Sequence, residues 1–262
     1  MDDLRVERMA DALVHAHQFR SASAPAPAGL AGDVALAYAV QDRLVSKWRL
    51  AQSDTVFGWK LGMTTDDMKR RTGITEPASG VILARRVRYS GATLSTGDFV
   101  HMGLEGEIAV RVGAPFPETE SVDAATALSR LDSVAAAFEI SDDRHADWSQ
   151  LDAATLIADN IWNMGVVLGP ARLIDEHTVL TGRRGIVTVN GVQRDQGMSE
   201  DIGCDPAAIV AWLGAHLARR NQPLRPGQWI MTGSFVPTTF PKPGDRYRFS
   251  VEGLEPVEAT IA

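Results

Sequence analysis

Two segments with a helical pattern precede a long region of strand and turn patterns, and this order limits the folds open to the chain. Apolar residues recur at helical spacing over residues 4–16 and 34–48, and a Ser/Ala/Pro linker over residues 21–29 separates the two segments. Farther along, strand-like segments do not alternate regularly with helices, which argues against a repeated β-α-β architecture. The patterns indicate an α+β or a mainly-β architecture for the 262 residues, and of the two we predict an α+β fold. It has an N-terminal helical region (1–54) and a mixed-β domain (55–262).

Local signals indicate where several elements begin and turn. Asp33 is suited to cap the second helix. The dipeptide Asn190-Gly191 lies between two strand-like segments and predicts a β-hairpin, because both residues readily adopt the positive φ of a type I′ turn. The dipeptide Asp205-Pro206 offers an N-cap followed by proline at the first helical position, so a further helix is predicted to begin there.

Charge and cysteine content exclude several classes of protein. The chain carries 26 Lys and Arg against 33 Asp and Glu, a net charge of −7. The basic residues are scattered, so we predict no binding of nucleic acid or of a membrane surface. A single cysteine, Cys204, excludes an internal disulfide and a cysteine-based zinc site. No apolar run reaches the roughly 18 residues that cross a bilayer, and no signal peptide is evident, so we expect a cytoplasmic protein.

Three glutamates form the most informative pattern in the sequence. Glu105 and Glu107 lie two apart in a strand-like segment, so both side chains leave the same face of the strand. Glu139 interrupts an apolar run, where an unpaired carboxylate is costly to bury. Three carboxylates at one place repel each other unless a divalent cation lies between them, and oxygen ligands favour Mg²⁺ or Mn²⁺. The alternative is that Glu105 and Glu107 face solvent while Glu139 pairs with an arginine such as Arg144.

Lys60 is the second unusual residue. It lies in a strand-like apolar segment between Gly58 and Gly62, two glycines that allow close approach of backbone or ligand. The side chain either reaches the surface along its own methylenes or serves as a positioned cation or as a base with a lowered pKa. Cys204 precedes a predicted helix, but no histidine nearby in the sequence indicates a nucleophile.

Five short motifs, taken in order along the chain, resemble one known family. They are similar to motifs of the 2-keto-4-pentenoate hydratase/4-oxalocrotonate decarboxylase family, which belongs to the fumarylacetoacetate hydrolase superfamily. The resemblance covers nearly the whole chain, and it implies a roll-like mixed β-sheet with the N-terminal helices packed outside it. The motifs are Gly58–Thr64, Glu105–Ala109, Phe138–Ile140, Ile157–Asn160 and Met231–Ser234.

The resemblance also implies roles for individual residues. Glu105, Glu107 and Glu139 would hold a Mg²⁺ or Mn²⁺ ion, and Lys60 would be the catalytic residue of the domain formed by residues 55–262. The other matching residues fall into a substrate-binding set and a supporting set. The first set is Leu61, Thr232, Gly233 and Ser234, and the second is Arg144, Asp159 and Asn160.

Members of that family act on short 2-oxo or 2-hydroxydienoic acids from meta-cleavage of aromatic rings. The resemblance therefore implies a metal-dependent lyase, a hydratase of such acids. The first alternative is a 4-oxalocrotonate (2-oxo-3-hexenedioate) decarboxylase, and the second is a catalytically weak metal-binding paralogue that acts as a partner subunit. A C–C hydrolase ranks lower, because the sequence shows no convincing Glu–His dyad. A homo-oligomer or a complex with a related hydratase or decarboxylase subunit is also implied.

Two departures from the family pattern concern the pocket. Ala78 stands where hydratases resembling this chain usually carry an aspartate, a candidate acid for water addition. This difference keeps the decarboxylase alternative open, and it makes Glu76 or an ordered water a candidate replacement for the missing acid. The segment over residues 160–163 is bulkier than is common in the family and predicts a remodelled pocket wall.

Overall fold

Two mixed β-sheets form the centre of the molecule, as seen in a computed structural model that describes residues 3–24, 27–117 and 121–262. Pro25 and Ala26, which belong to the predicted linker, lie outside the described residues. The α-helices within these ranges are α1 (Asp3–Gln18), α2 (Val34–Gln52), α3 (Asp66–Thr72), α4 (Ala124–Ser129), α5 (Ala153–Ala158) and α6 (Pro206–Arg219).

The larger sheet has parallel and antiparallel pairs, and one short strand lies off its main path, beside β6. In spatial order its main path is β2 (Ala78–Leu83), β1 (Val56–Gly62), β11 (Trp229–Ser234), β5 (Met102–Val112), β6 (Leu131–Asp142), β7 (Asn163–Leu168) and β3 (Val87–Tyr89), with β8 (Arg172–Leu173) beside β6. The smaller sheet runs β10 (Val192–Met198), β9 (Arg184–Val189), β12 (Arg246–Val251), β13 (Val257–Ile261) and β4 (Ala92–Leu94). The mixed sheets with outer helices confirm the predicted fold class.

The two N-terminal helices pack on the sheets through a shared apolar core. The Asp33 side chain accepts a hydrogen bond from the Leu36 backbone N–H at 2.9 Å, which confirms the predicted cap of α2. The buried Val6 of α1 and Leu44 of α2 belong to the same apolar cluster as Phe249 in the smaller sheet. The division of the chain at residues 54 and 55 stays a prediction.

Caps and the hairpin lie where the sequence predicts them. Asn190 and Gly191 have φ values of 54° and 79° and join strands β9 and β10. Asp205 caps α6 by accepting from the Ala207 N–H at 2.7 Å, and Pro206 opens the helix. These elements form locally because turn chemistry and capping act over two or three residues.

The register of the larger sheet decides which side chains meet. β5 pairs antiparallel with β6, so that Glu105 lies opposite Glu139 and Glu107 lies opposite Ala137. Directly paired residues point to the same face of a sheet. On the same path β1 runs parallel to β11, with Lys60 beside Met231, and β11 pairs with β5. The two glutamates of β5, Glu139 and Lys60 therefore project from one face, although they are far apart in sequence.

Gly58 lies where strand β1 approaches the backbone of β11 closely. An ideal Cβ at residue 58 would overlap the backbone carbonyl of Trp229 in β11, and a backbone atom held in a central strand cannot move aside. Gly58→Ala is expected to lower the free energy of unfolding by about 3 kcal/mol or more, measured by urea denaturation. Gly97→Ala is the matched control, since the only atom near its ideal Cβ is Ser95 Oγ at 3.4 Å. Equal stabilities of the two variants would contradict this packing.

Candidate active site

Three carboxylates converge on the face shared by β5 and β6. Ligand oxygens of Glu105, Glu107 and Glu139 lie within 4.8 Å of one another. Glu107 and Glu139 are completely buried, and Glu105 is half-buried. The two-residue spacing in β5 and the cross-strand pair with β6 produce this cluster directly. Such a set of oxygen donors has the composition of a Mg²⁺ or Mn²⁺ site.

Each carboxylate accepts a hydrogen bond from a neutral group. The Thr238 hydroxyl donates to Glu105 Oε1 at 2.7 Å, and the Gly233 backbone N–H donates to Glu107 Oε2 at 2.8 Å. The Asn163 side-chain amide donates to Glu139 Oε1 at 3.0 Å. Thr238 and Asn163 carry no sequence signal for this role, because each reaches its glutamate from a segment distant in sequence.

Two buried oxygens remain without a hydrogen bond. They are Oε1 of Glu107 and Oε2 of Glu139, which find no donor among the described residues. A buried anionic oxygen without a partner is costly. A divalent cation between the carboxylates would remove this cost, so the residues present fit a metal ion.

The electrostatics of the site agree with that fit. Burial, together with the neighbouring charges of Glu139 and Glu105, raises the pKa of Glu107 well above its ordinary value. Burial also raises the pKa of Glu139, although the Lys60 ammonium acts in the opposite direction. Glu107 and Glu139 therefore hold protons more strongly than isolated glutamates do.

Lys60 points into the carboxylate cluster and does not reach the surface. Its Nζ lies 3.1 Å from Glu139 Oε1 and 3.4 Å from the Ile161 carbonyl, and only 4% of the residue is exposed. Gly80 of β2 lies opposite Lys60, and an ideal Cβ there would lie 3.0 Å from the lysine Cγ. The glycine thus leaves room for the lysine stem.

The side chains around Lys60 do not produce the lowered lysine pKa that one alternative predicts. Burial alone lowers the pKa of Lys60, but the charges of Glu139, Glu105 and Glu107 outweigh burial and raise it above the ordinary value. Lys60 is therefore a buried ammonium that donates to a carboxylate.

The residues predicted to bind substrate divide into two groups. Leu61, Gly233 and Ser234 line a cavity of about 220 Å³, and Lys60 and Glu105 line it as well. Thr232 does not line this cavity, and its hydroxyl donates to the Ile108 carbonyl at 2.9 Å. Its side chain is therefore used inside the sheet.

The predicted supporting residues form a network behind the cavity. Arg144 Nη2 donates to Asp159 Oδ2 at 2.6 Å, and His17 Nε2 lies 2.7 Å from Asp159 Oδ1. Although burial acts in the opposite direction, His17 and Arg144 lower the pKa of Asp159. Asn160 holds β2 through two hydrogen bonds to the Val81 backbone, at 2.7 and 2.9 Å. The alternative pairing of Arg144 with Glu139 is wrong, because Lys60 is the basic partner of that glutamate.

A left-handed turn forms one wall of the cavity. Asn160, Ile161 and Trp162 have φ values of 53°, 49° and 57°, and none of them is glycine. Positive φ is costly for a β-branched residue such as Ile161, and strain of this kind is concentrated at functional sites. Ile161 and Trp162 both line the cavity. The bulk of this segment predicts a modified wall, but nothing in it predicts the turn.

The position of the missing aspartate is apolar and closed. Ala78 is completely buried in β2, where it pairs with Gly62 of β1. Glu76 does not replace the aspartate, because its side chain is 62% exposed and lies 3.9 Å from Arg219. That part of the prediction is wrong.

Buried acid and base groups at the end of a small cavity define a candidate active site of an enzyme acting on small molecules. A sequence profile of the fumarylacetoacetate (FAA) hydrolase C-terminal family matches residues 65–262. The chain therefore belongs to the FAA hydrolase family, as its motifs predict.

Individual proteins are similar over most or all of the chain. The 2-keto-4-pentenoate hydratase of Paraburkholderia phymatum is 28% identical over 262 residues, covering 100% of this chain and 99% of that protein. The 2-oxo-hept-4-ene-1,7-dioate hydratase of Escherichia coli is 30% identical over 221 residues, covering 80% of each. The structure of 4-oxalocrotonate decarboxylase from Pseudomonas putida G7, complexed with magnesium and adipate, superposes with a TM-score of 0.89. It has 22% sequence identity and covers 100% of this chain and 99% of that one.

In the described part of the chain, no helix is both long enough and apolar enough to cross a bilayer.

Proposed function

We propose that the protein is a divalent-metal-dependent lyase that hydrates 2-hydroxy-2,4-dienoates or the related 2-oxo-alkenoates. The observation that carries the proposal is that Lys60 and Glu105 line one cavity, while the buried Glu107 and Glu139 lie directly beside them. The names of the two hydratase relatives support the reaction class. The magnesium in the decarboxylase complex supports the kind of ion, and Mn²⁺ is the alternative ion.

The 2-oxo-carboxylate end of the substrate, called here its head, would bind where the carboxylate oxygens of Glu107 and Glu139 that lack hydrogen bonds converge. A divalent cation held by Glu105, Glu107 and Glu139 would supply Lewis-acid stabilisation of the dienolate, which arises when the 2-hydroxyl group loses its proton and is converted to the 2-oxo-3-enoate when C5 gains one. Gly233 holds Glu107 through its backbone N–H, and Asn163 holds Glu139, so both ligands are oriented before substrate arrives.

Lys60 would move the proton or stabilise the enolate oxygen. Its ammonium is within hydrogen-bond distance of Glu139 and is shielded from solvent, which strengthens its interaction with a developing negative charge. Leu61 and Ser234 would contact the substrate from the cavity wall. Thr232 would stabilise the β11–β5 pairing. Asp159, Asn160 and Arg144 would hold the turn that carries Ile161 and Trp162 into the cavity wall.

A decarboxylase that acts on 2-oxo-3-hexenedioate is the second candidate. Ala78 favours it, because the buried apolar site offers no acid for water addition. Loss of CO₂ uses the same electron-accepting 2-oxo group and needs no such acid. A weakly active paralogue that serves as a partner subunit remains the third candidate. For the assembly, we propose a homo-oligomer.

Turnover of two substrates with and without Mg²⁺ separates these candidates. For the hydratase we expect Mg²⁺-dependent conversion of 2-hydroxypenta-2,4-dienoate to 4-hydroxy-2-oxopentanoate, measured by product NMR. Release of CO₂ from 2-oxo-3-hexenedioate without hydration of the monoacid would replace the leading candidate by the decarboxylase. Binding of Mg²⁺ with no turnover of either acid would favour the paralogue.

A further inference from the structure

Apart from Lys60 and Glu105, most of the cavity lining is apolar. Where the proposed head site supplies glutamates and a lysine, the rest of the wall supplies mainly large hydrophobic and aromatic side chains. The five that define it here as the tail wall are Met68, Trp148, Leu151, Leu156 and Trp162.

This tail wall has no second positive charge. Among the described residues that line the cavity, Lys60 is the only lysine, arginine or histidine. Arg71 lies at the adjoining rim, where it is 60% exposed and bound to Asp67 at 2.7 Å. Arg144 is buried and bound to Asp159. The indole N–H of Trp162 is buried without a hydrogen-bond partner, but one neutral donor does not balance a carboxylate.

We propose that the protein selects a 2-oxo-alkenoate whose far end is uncharged and apolar, and that it rejects the corresponding diacid. The inference rests on the proposed function, which places the charged head at the glutamate cluster. A second carboxylate would lose its hydration against the tail wall without gaining a cation, and such a loss is large compared with the gain from a few added contacts. The substrate class therefore differs from the dioate in the name of the Escherichia coli relative.

Trp162 also limits how long the tail can be. A second cavity of about 500 Å³ lies beyond the tail wall and shares Leu151, Leu156 and Trp162 with the first. These three side chains therefore separate the two cavities. The backbone of Trp162 is fixed in the left-handed turn, and its ring lies 5.6 Å from that of Trp148. Removing the indole would join the cavities and make room for longer tails.

The test uses the full-length protein in Mg²⁺ and measures both binding and turnover. Calorimetric titration with 2-oxohexanoate and with 2-oxohexanedioate, which have the same chain length and lack the reactive double bond, is expected to show affinity for the monoacid that is higher by about 100-fold or more. The same ranking is expected in kcat/KM for the unsaturated monoacid and diacid. Equal or tighter binding of the diacid would overturn the inference.

Variants make the result independent of folding defects. Met68→Lys adds a cation to the tail wall from the half-buried face of α3, and it is expected to raise diacid affinity by about tenfold or more, a gain that misfolding cannot produce. Met68→Leu is the matched control. Trp162→Ala is expected to move the preferred tail to longer chains, with Trp162→Phe intermediate. An unchanged chain-length preference in a folded Trp162→Ala protein would overturn the role of Trp162.

Failure of the proposed function has a different signature. If neither acid binds or turns over in the presence of Mg²⁺, the proposed head site is wrong, and the inferred preference for an apolar tail fails with it. If both acids bind and the diacid is preferred, the head site stands and only the tail inference fails.

Discussion

Replacing Glu107 by glutamine is expected to weaken Mg²⁺ binding by about 100-fold or more while making the metal-free protein more stable. Glu107 is completely buried, and its Oε1 has no hydrogen-bond partner among the described residues. Two unit charges within 4.8 Å repel by roughly 3 kcal/mol at an effective dielectric constant of about 20. A neutral amide removes that repulsion and, with it, most of the attraction for a cation.

Two measurements check this prediction together. Calorimetric titration gives the metal affinity, and chemical unfolding with and without Mg²⁺ gives the stabilisation by the ion, which is about 2.7 kcal/mol when the ion is present at 100 times its Kd. Glu255→Gln, at an exposed position between β12 and β13, is the matched control and should change neither value. Metal affinity unchanged from the wild type would show that Glu107 is not a ligand.

Lys60→Met is expected to lower kcat by about 100-fold or more with a smaller effect on KM. Methionine keeps much of the shape of the lysine stem beside Gly80 but has neither the proton nor the charge. A group that moves a proton or stabilises an enolate contributes at this level. Because the ammonium lies 3.1 Å from Glu139, its loss also removes a competing cation, so Mg²⁺ affinity should be unchanged or higher.

Measuring kcat and Mg²⁺ affinity together separates a catalytic role of Lys60 from a purely structural one. A purely structural lysine would lower stability and metal affinity together and would leave the kcat of the folded fraction intact. Lys242→Met is the control for loss of one exposed positive charge. Wild-type kcat in Lys60→Met would assign Lys60 to neutralising Glu139 alone.

The sequence predicts the parts of the site that depend on spacing within one strand. Glu105 and Glu107 share a face because β-strands alternate, and Glu139 stands out because it interrupts an apolar run. The family resemblance then connects them to Lys60. The predicted helix caps and the Asn190-Gly191 hairpin also depend on neighbours within a few residues, and the structure confirms them.

Other parts depend on contacts between distant segments and could not be predicted from one sequence. Asn163 and Thr238 reach the glutamates only after the sheet has formed. The room for Lys60 comes from Gly80 on a neighbouring strand. Thr232 matches the motif but is turned to the Ile108 carbonyl. The direction of the Lys60 pKa shift depends on how many carboxylates surround it, which spacing alone does not determine.

The left-handed turn at Asn160–Trp162 has a consequence for how this enzyme family diversifies. Lys60 and the three glutamates lie on strands of the larger sheet, whereas Ile161 and Trp162 are carried by a short connection between α5 and β7. Connections tolerate substitution better than strands do. One or two substitutions in this turn can therefore change the substrate preference of a descendant protein, while the sheet that carries the reacting groups stays unaltered.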